Sequence, residues 1–325
     1  MKAITQHRYG GPDVLQFEDV DQPVPADHEV LVRVHAATIN ARDWHVMRGD
    51  PHLARIMPGI MGLRRPTAMI RGTDFAGVVE AVGRQVTRLR PGDEVYGEAD
   101  GAFAEYVAAP ATVVDHKPSN LSFDQAAALP LAANTALMGL GQVRAGHRVL
   151  VNGASGGVGT FAVQIARSLG ADVTAVCSTR NVDLVASLGA HHVIDYTQDD
   201  FTRDTARYDV VLDLVGNHSL RNLRRSLKPG GTLVLSGGGV STGGSLIGPM
   251  GLILRASAAK PFIRRHRVVV LAAHPNVENL AALRELAEAG TITPIIDRSY
   301  GLAEVPAAIR YVEEEHARAK VVITV

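Results

Sequence analysis

The run Val149-Leu150-Val151-Asn152-Gly153-Ala154-Ser155-Gly156-Gly157-Val158-Gly159 constrains the fold more than any other stretch of the chain. An apolar, β-type segment enters a glycine-rich turn and leaves into Val158–Leu169, whose apolar positions repeat with the period of an amphipathic helix. Such a turn aims backbone amides and a helix N-terminus at one point, which is what a pyrophosphate needs. Gly156, Gly157 and the amide of Val158 supply that approach, Gly153 and Ser155 shape the turn, and Gly159 lets the helix lie close to the strand. The pattern departs from G-x-G-x-x-G at its first glycine, where Ala154 stands. A tight strand-to-helix turn that binds nothing would use the same glycines, so the surroundings must decide.

They favour a dinucleotide. Strands are expected at Arg148–Asn152, Asp172–Cys177, His192–Tyr196, Asp209–Val215 and Thr232–Ser236, with helices at Val158–Leu169, Val182–Leu188 and Leu220–Leu227 between them. Alternation of this kind builds right-handed βαβ units and a doubly wound parallel sheet. Gly170 and Gly189 follow the last apolar positions of two helices, where a left-handed residue ends a helix. Before this series, from Met1 to about Asn120, short β-like runs (Val30–His35, Ala76–Val82, Glu94–Tyr96, Ala104–Val107) are cut by Gly and Pro. After it, Val277–Ala289 and Leu302–Glu315 read as helical, with Thr291–Ile296 and Lys320–Val325 extended. The class is α/β, in two domains: residues 1–120 with 275–325 form a β-rich domain, and 121–274 the dinucleotide domain.

Composition excludes other classes. Hydrophobic residues make up 46% and charged residues 20% of the 325, so the chain can bury a core rather than stay disordered. Lys plus Arg and Asp plus Glu are 33 each, which leaves no basic field for nucleic acid. No apolar run reaches the roughly 20 residues of a membrane span, and no secretory leader is read at the N-terminus, so a cytoplasmic location is expected. One cysteine, Cys177, forms no intramolecular disulfide and reads as a half-buried strand residue; the 13 histidines show no tight ligand spacing.

The end of the second strand of the series bears on the cofactor. An acid there would hold the ribose 2′-hydroxyl of NAD, but Val176-Cys177-Ser178-Thr179-Arg180-Asn181 has none before Asp183. Small hydroxyls and an arginine suit a 2′-phosphate, so NADPH is expected, with Ser178 and Arg180 as ligands. The plainer alternative for Arg180 is a solvated residue at a helix start. Ser236 and Gly237, after the strand at 232–236, complete the expected cofactor set.

The ordered series Gly72-Thr73-Asp74-Phe75-Ala76-Gly77-Val78-Val79, Pro91-Gly92-Asp93-Glu94-Val95-Tyr96-Gly97, Gly101-Ala102-Phe103-Ala104-Glu105-Tyr106 and Ala128-Leu129-Pro130-Leu131, with the Gly153–Gly159 loop, resembles the zinc-independent quinone oxidoreductases of the medium-chain dehydrogenase/reductase superfamily. The resemblance extends to His316-Ala317-Arg318-Ala319-Lys320-Val321-Val322-Ile323 and so covers essentially the whole chain. It implies a GroES-like β domain that houses the substrate, a Rossmann domain and a cleft between them. It also implies that Asn40, Asp43 and His45 lie beside the nicotinamide, that Thr135 touches its side, that Tyr196 nears the adenosine phosphate, and that Lys320 returns to the cofactor. Zinc-dependent relatives carry Cys near Asn40 and His-Glu where Thr73-Asp74 stand here, so no metal is expected.

Without a Lewis acid, reduction of a simple carbonyl to an alkoxide is hard, whereas quinones and enones spread the incoming charge through conjugation. The expected activity is NADPH-dependent hydride transfer to a quinone or similar conjugated carbonyl acceptor. Reduction of the C=C bond of enones or 2-alkenals is the alternative enzyme, and a non-catalytic NADPH sensor the alternative outside enzymology. His45, where relatives often carry tyrosine, is either a proton donor or a residue of the cleft wall. The segments 52–71 (with Ile56, Met57, Ile60, Met61 and Leu63) and 248–259 are expected to be lids over a small hydrophobic substrate, or else packing or a homodimer interface.

Overall fold

The computed structural model describes residues 1–56, 61–203, 207–236, 250–315 and 317–325. They divide into two compact units, residues 1–134 with 274–325, and residues 135–273.

In chain order the first stretch contains β1 (Lys2–Gln6), β2 (Leu15–Asp19), β3 (Glu29–Ile39), α1 (Ala41–Arg48), β4 (Asp74–Val82), β5 (Glu94–Glu98), β6 (Tyr106–Pro110), β7 (Val114–His116), α2 (Phe123–Ala127) and α3 (Pro130–Gly139). There follow β8 (Arg148–Asn152), α4 (Gly157–Ser168), β9 (Asp172–Cys177), α5 (Val182–Ser187), β10 (His192–Asp195), β11 (Tyr208–Asp213), α6 (Leu220–Arg225), β12 (Leu227–Leu235), α7 (Met250–Ala259) and β13 (Arg267–Val270). The chain finishes with α8 (Val277–Glu288), β14 (Ile296–Gly301), α9 (Val305–Glu314) and β15 (Lys320–Thr324).

The first unit is built on a sheet in the order β14-β15-β3-β4-β5-β7, with β6 also on β3 and β1 paired to β2. Its core gathers Ile4, Val32, Val34, Phe75, Phe103, Val305, Val321 and Ile323. β15 runs antiparallel to β3 and parallel to β14. Val321, Val322 and Ile323 are all buried, as a strand covered on both faces requires. The division between the units falls later than the sequence implies. Residues 121–134 belong to the first unit because α2 packs on β3 and β4, where Thr38 donates to the Ala127 carbonyl at 3.1 Å and the Leu131 amide donates to Asp74 at 3.2 Å. Two strand expectations also shift. Ala104 makes only an isolated bridge to Ala3, so β6 begins at Tyr106. The strand expected at Thr291–Ile296 begins only at Ile296, beyond Pro294, which has no amide to offer a ladder.

Among the described residues the second unit holds six parallel strands in the order β10-β9-β8-β11-β12-β13. The order reverses between β9-β8 and β11, the switch point where doubly wound sheets bind ligands at the strands' carboxyl ends. α4 shows why its sequence forms a helix here: Phe161, Ala162, Val163, Ile165 and Ala166 are buried, and Gly170, at φ 75°, closes the turn that follows. Gly189 takes the same role at φ 103° after α5. The fold class expected from the strand and helix alternation is the one observed.

Candidate functional site

In the second unit, β8 ends at Asn152 and the chain turns at once. Gly153 adopts φ 89°, and a Cβ there would stand 2.7 Å from Val215, so the tight-turn glycine of this loop is Gly153, one place earlier than the pattern implies. Ala154 is accordingly tolerated, fully buried with its amide on the Val176 carbonyl. Gly156 is the extended N-cap of α4. The first bond of the helical ladder runs from Thr160 to Gly156, which leaves the amides of Gly157, Val158 and Gly159 without a partner four residues back. Gly159 packs so closely on the turn that a Cβ would lie 2.2 Å from the Gly153 carbonyl. Among the described residues the cradle therefore fits a pyrophosphate: amides left over by the helical ladder, a helix N-terminus, and glycines where side chains would crowd the turn.

Side chains extend it. Asn181 donates to Ser155 Oγ at 3.0 Å and to Ser178 Oγ at 3.1 Å, and so ties the turn after β8 to the one after β9. Arg180 is exposed beside them, and Tyr196, just past β10, is 58% exposed. Thr179 is not part of this set: its hydroxyl donates to Asp195 at 2.6 Å and meets Thr197. These donors hold the Asp195 carboxyl below its usual range. At the neighbouring strand ends Asn152 donates to Asp213 at 2.8 Å and to Asn217 at 2.9 Å, and the amide of Ser236 donates to the Asp213 carbonyl. Thr135 is buried in α3. Gly237 lies outside the described residues, as do Met57, Ile60 and Gly248 of the expected lids, whereas Ile56 and Leu63 are exposed and Met61 is buried. Burial pushes the Cys177 thiol up to about 11, which makes it an inert strand residue.

The first unit holds a second constellation. Asn40 precedes α1, and its backbone amide donates to the Asp43 carboxylate at 2.7 Å, an arrangement that fixes the helix start. Its side chain serves elsewhere. Nδ2 donates to Asp74 at 2.9 Å, while Oδ1 accepts from Lys320 Nζ at 2.6 Å. The Lys320 ammonium stands 3.5 Å from Asp74, with Lys320 2% and Asp74 0% exposed. Lys320, expected at the cofactor, thus has its charge committed to Asn40 and Asp74 inside the first unit. Burial pushes Asp74 up and Lys320 down, each opposed by the charge of the other.

Three further groups complete the cluster. Asp43 is pushed to about 6 by burial, against the pull of the Asn40 amide. Glu98, directly across the ladder from Asp74, is pushed to about 8 by burial and by the Asp74 charge, so it holds its proton at neutral pH. Arg71 is buried, its guanidinium pushed down by burial and supported by Asp43. His45 lies one turn along α1, stacked on Trp44 at 3.7 Å, with a buried Nδ1 that meets no partner among the described residues. Burial lowers its pKa, so the ring is neutral at pH 7.

The structure therefore brings Asn40, Asp43 and Lys320 together with Asp74, and Ser155 and Ser178 together around Asn181. Sequence reasoning missed Glu98, Asp74 as a countercharge, and the link that Asn181 makes between the two serines. The Asp74–Glu98 pairing is set by strand register, which no local pattern prints. A raised acid makes the folded state bind protons that the unfolded chain has released, so Glu98 lowers stability progressively from about pH 4.5 to about pH 8. Glu98→Gln should therefore melt at a clearly higher temperature than the wild type at about pH 8 and near the wild-type value at about pH 5. Parallel melting curves across that range would contradict the burial argument.

Two family models match the chain. Residues 26–119 match the alcohol dehydrogenase GroES-like domain, and residues 188–323 match the model described as zinc-binding dehydrogenase. NAD(P)H oxidoreductase RTN4IP1, mitochondrial, of Bos taurus is 34% identical, over 100% of this chain and 89% of that protein. The 2-methylene-furan-3-one reductase of Solanum lycopersicum is also 34% identical, over 99% and 79%. The solved quinone oxidoreductase of Coxiella burnetii superposes with a TM-score of 0.86 at 32% identity, covering 100% of this chain and 99% of that one. The chain is an oxidoreductase, with a GroES-like and a Rossmann domain, and it belongs to the quinone oxidoreductase-like family of the medium-chain dehydrogenase/reductase superfamily.

Proposed function

We propose that the chain is an NADPH-dependent, zinc-free oxidoreductase whose acceptor is a quinone or a similar conjugated carbonyl compound. The observation that carries the reading is the buried Lys320–Asn40–Asp74 set. Where zinc-dependent relatives would offer thiolate and imidazole, this chain offers an amide oxygen already bonded to an ammonium, a threonine and an aspartate that accepts from Asn40 and Thr38. A fixed cation among these groups repels a second one, and none of them offers sulfur or an imidazole nitrogen, so the donors do not fit zinc. Among the described residues no group of three or more His, Cys, Asp or Glu is arranged to hold a metal.

The nicotinamide, when bound, supplies the hydride. The chain's residues must bind the dinucleotide, orient the acceptor and deal with charge. An acceptor that spreads its charge needs hydrogen-bond donors and an acid rather than a Lewis acid. Glu98, protonated at neutral pH, is such an acid, and Lys320 biases the cluster toward anions. His45, neutral, acts as a hydrogen-bonding wall residue rather than as an imidazolium. Names among the relatives and neighbours, a quinone oxidoreductase and a 2-methylene-furan-3-one reductase, support both a quinone and an enone as acceptor. The test is turnover of NADPH with a panel of quinones and enones, with product analysis and elemental analysis for zinc. Oxidation of NADPH by quinones without stoichiometric zinc is expected. Reduction confined to the C=C bond of enones would transfer the reading to the alternative, and activity lost to a chelator and restored by zinc would end it.

For the cofactor, the support is Ser178 and Arg180 at the end of β9, with no acid before Asp183. Arg180→Ala should weaken NADPH binding about tenfold, the lower range for a charge-assisted contact at an exposed site, and leave NADH nearly unchanged. Equal losses for both would remove Arg180 from the 2′-phosphate. The proposed assembly is a homodimer through the β13 edge of the second sheet, supported by the exposed Val270 (36%) and by Leu254 (43%) on α7. Light scattering on the purified protein checks it. No helix among the described residues is long and apolar enough to cross a membrane.

A further inference from the structure

Asn181 is 4% exposed, it lies between the phosphate turn and the end of β9, and its two side-chain contacts are of one kind. Its Nδ2 is 3.0 Å from Ser155 Oγ and 3.1 Å from Ser178 Oγ, and among the described residues its buried Oδ1 has no partner. An amide nitrogen carries two hydrogens, and here each goes to one serine. A hydroxyl has one hydrogen and two lone pairs, so an oxygen that accepts from Asn181 turns its own O–H away from it. Among the described residues neither serine hydroxyl donates to any other group.

We propose that Asn181 is a specificity-determining positioning residue that sets the polarity of the cofactor cradle. By donating to both serines it presents Ser155 and Ser178 as outward hydrogen-bond donors, the former to the pyrophosphate and the latter to the 2′-phosphate of NADPH. The Ser155 half needs only a dinucleotide, while the Ser178 half rests on the NADPH reading above. An ionised phosphate oxygen accepts and does not donate, so the cradle is matched to its ligand when both hydroxyls are turned outward. A carboxylate at the same place, nearly the same shape, would accept from both serines, reverse them, and add a negative charge beside the ligand.

The experiment compares Asn181→Asp with Asn181→Ala by equilibrium titration of NADPH and NADH, followed by cofactor fluorescence, with melting of the apo protein alongside. N181D should weaken NADPH by about 100-fold or more and NADH by about tenfold, since two charge-assisted bonds are reversed in one case and one in the other. N181A, which frees the hydroxyls to rotate, should cost NADPH only about three- to tenfold. A residue that merely fills space gives the opposite order, because alanine opens a cavity and aspartate does not. N181D binding both dinucleotides like the wild type overturns the proposal and leaves the NADPH reading standing. Wild-type protein that binds NADH as tightly as NADPH overturns that reading and the Ser178 half with it, while the Ser155 half is still read from the NADH titration. Should N181D not fold, the double variant with Ser178→Ala decides: N181A then has no further effect on the preference for NADPH over NADH, whereas independent, additive losses refute the link.

Discussion

Replacing Lys320 with Met lowers the stability of the first unit by about 4 kcal/mol at neutral pH, and the deficit shrinks as the solution is acidified. The reason lies in what is left behind. Asp74 is fully buried, and without the ammonium at 3.5 Å its carboxylate has, among the described residues, only the Asn40 and Leu131 donors and a Thr38 hydroxyl shared with the Ala127 carbonyl. The group escapes by holding a proton. At pH 7 this costs about 1.4 kcal/mol for each unit between the solution pH and an unfolded pKa of about 3.9. Its folded pKa is then raised further, so the variant regains stability as pH falls toward that value and shows its full deficit above the raised pKa. Adding Asp74→Asn removes the stranded charge and should restore most of the loss with a flat pH dependence. Trp44, the single tryptophan, packs against the first unit's core, and its fluorescence in urea reports this unit. An unfolding midpoint in K320M equal to the wild type at all pH values would show that Lys320 is not the countercharge.

Gly159→Ala weakens dinucleotide binding by about 100-fold and destabilises the apo protein by about 1–3 kcal/mol. The added Cβ meets backbone on two sides, the Gly153 carbonyl at 2.2 Å and Ala154 at 2.7 Å, and backbone does not step aside as a side-chain tip would. Either α4 backs away from the turn or the turn opens, and in both cases the orphan amides leave their common focus. A displacement of about 1 Å is enough for a loss of about 100-fold. Gly156→Ala provides the contrast, because among the described residues its Cβ would have one neighbour, the Gly153 carbonyl at 3.5 Å. That variant should keep the apo melting temperature and still bind poorly, since its methyl group stands on the open side of the loop, where a pyrophosphate must come close to the backbone. Titration calorimetry with NADPH and NADH measures the binding, and thermal melting measures the packing. An unchanged melting temperature in G159A would refute the close approach of helix and turn.

The parts legible in the sequence were those written by short-range rules. β8, β9 and α4 stand within a residue of their expected limits because period, glycine stops and apolar runs all agree there. The boundary at 134 was hidden because α2 is helical like the segment after it, and only its packing on β3 and β4 assigns it to the first unit. Asn40 and Lys320 were found through a family resemblance, yet their bond spans 280 positions and no spacing rule could have joined them. Glu98 carried no motif at all, and Asn181 stood out only as the place where some members of the resembling family have a lysine for the 2′-phosphate. Each owes its role to a partner on another strand or turn: Asp74 across a ladder, and Ser155 across the top of the parallel sheet.

The placement of β15 has a consequence for how the chain is made. The first unit's sheet is joined in its interior by residues 320–324, and its buried cation is Lys320, yet both emerge from the ribosome after the whole of the second unit. A nascent chain that has exposed residues 1–273 can already finish its parallel sheet, while β3 still lacks its β15 neighbour and Asp74 its countercharge. Until then the Ala36–Ile39 end of β3, which β6 does not cover, offers bare donors and acceptors to any extended chain nearby, so a chaperone that shields this end during synthesis would act on the first unit and be dispensable for the second.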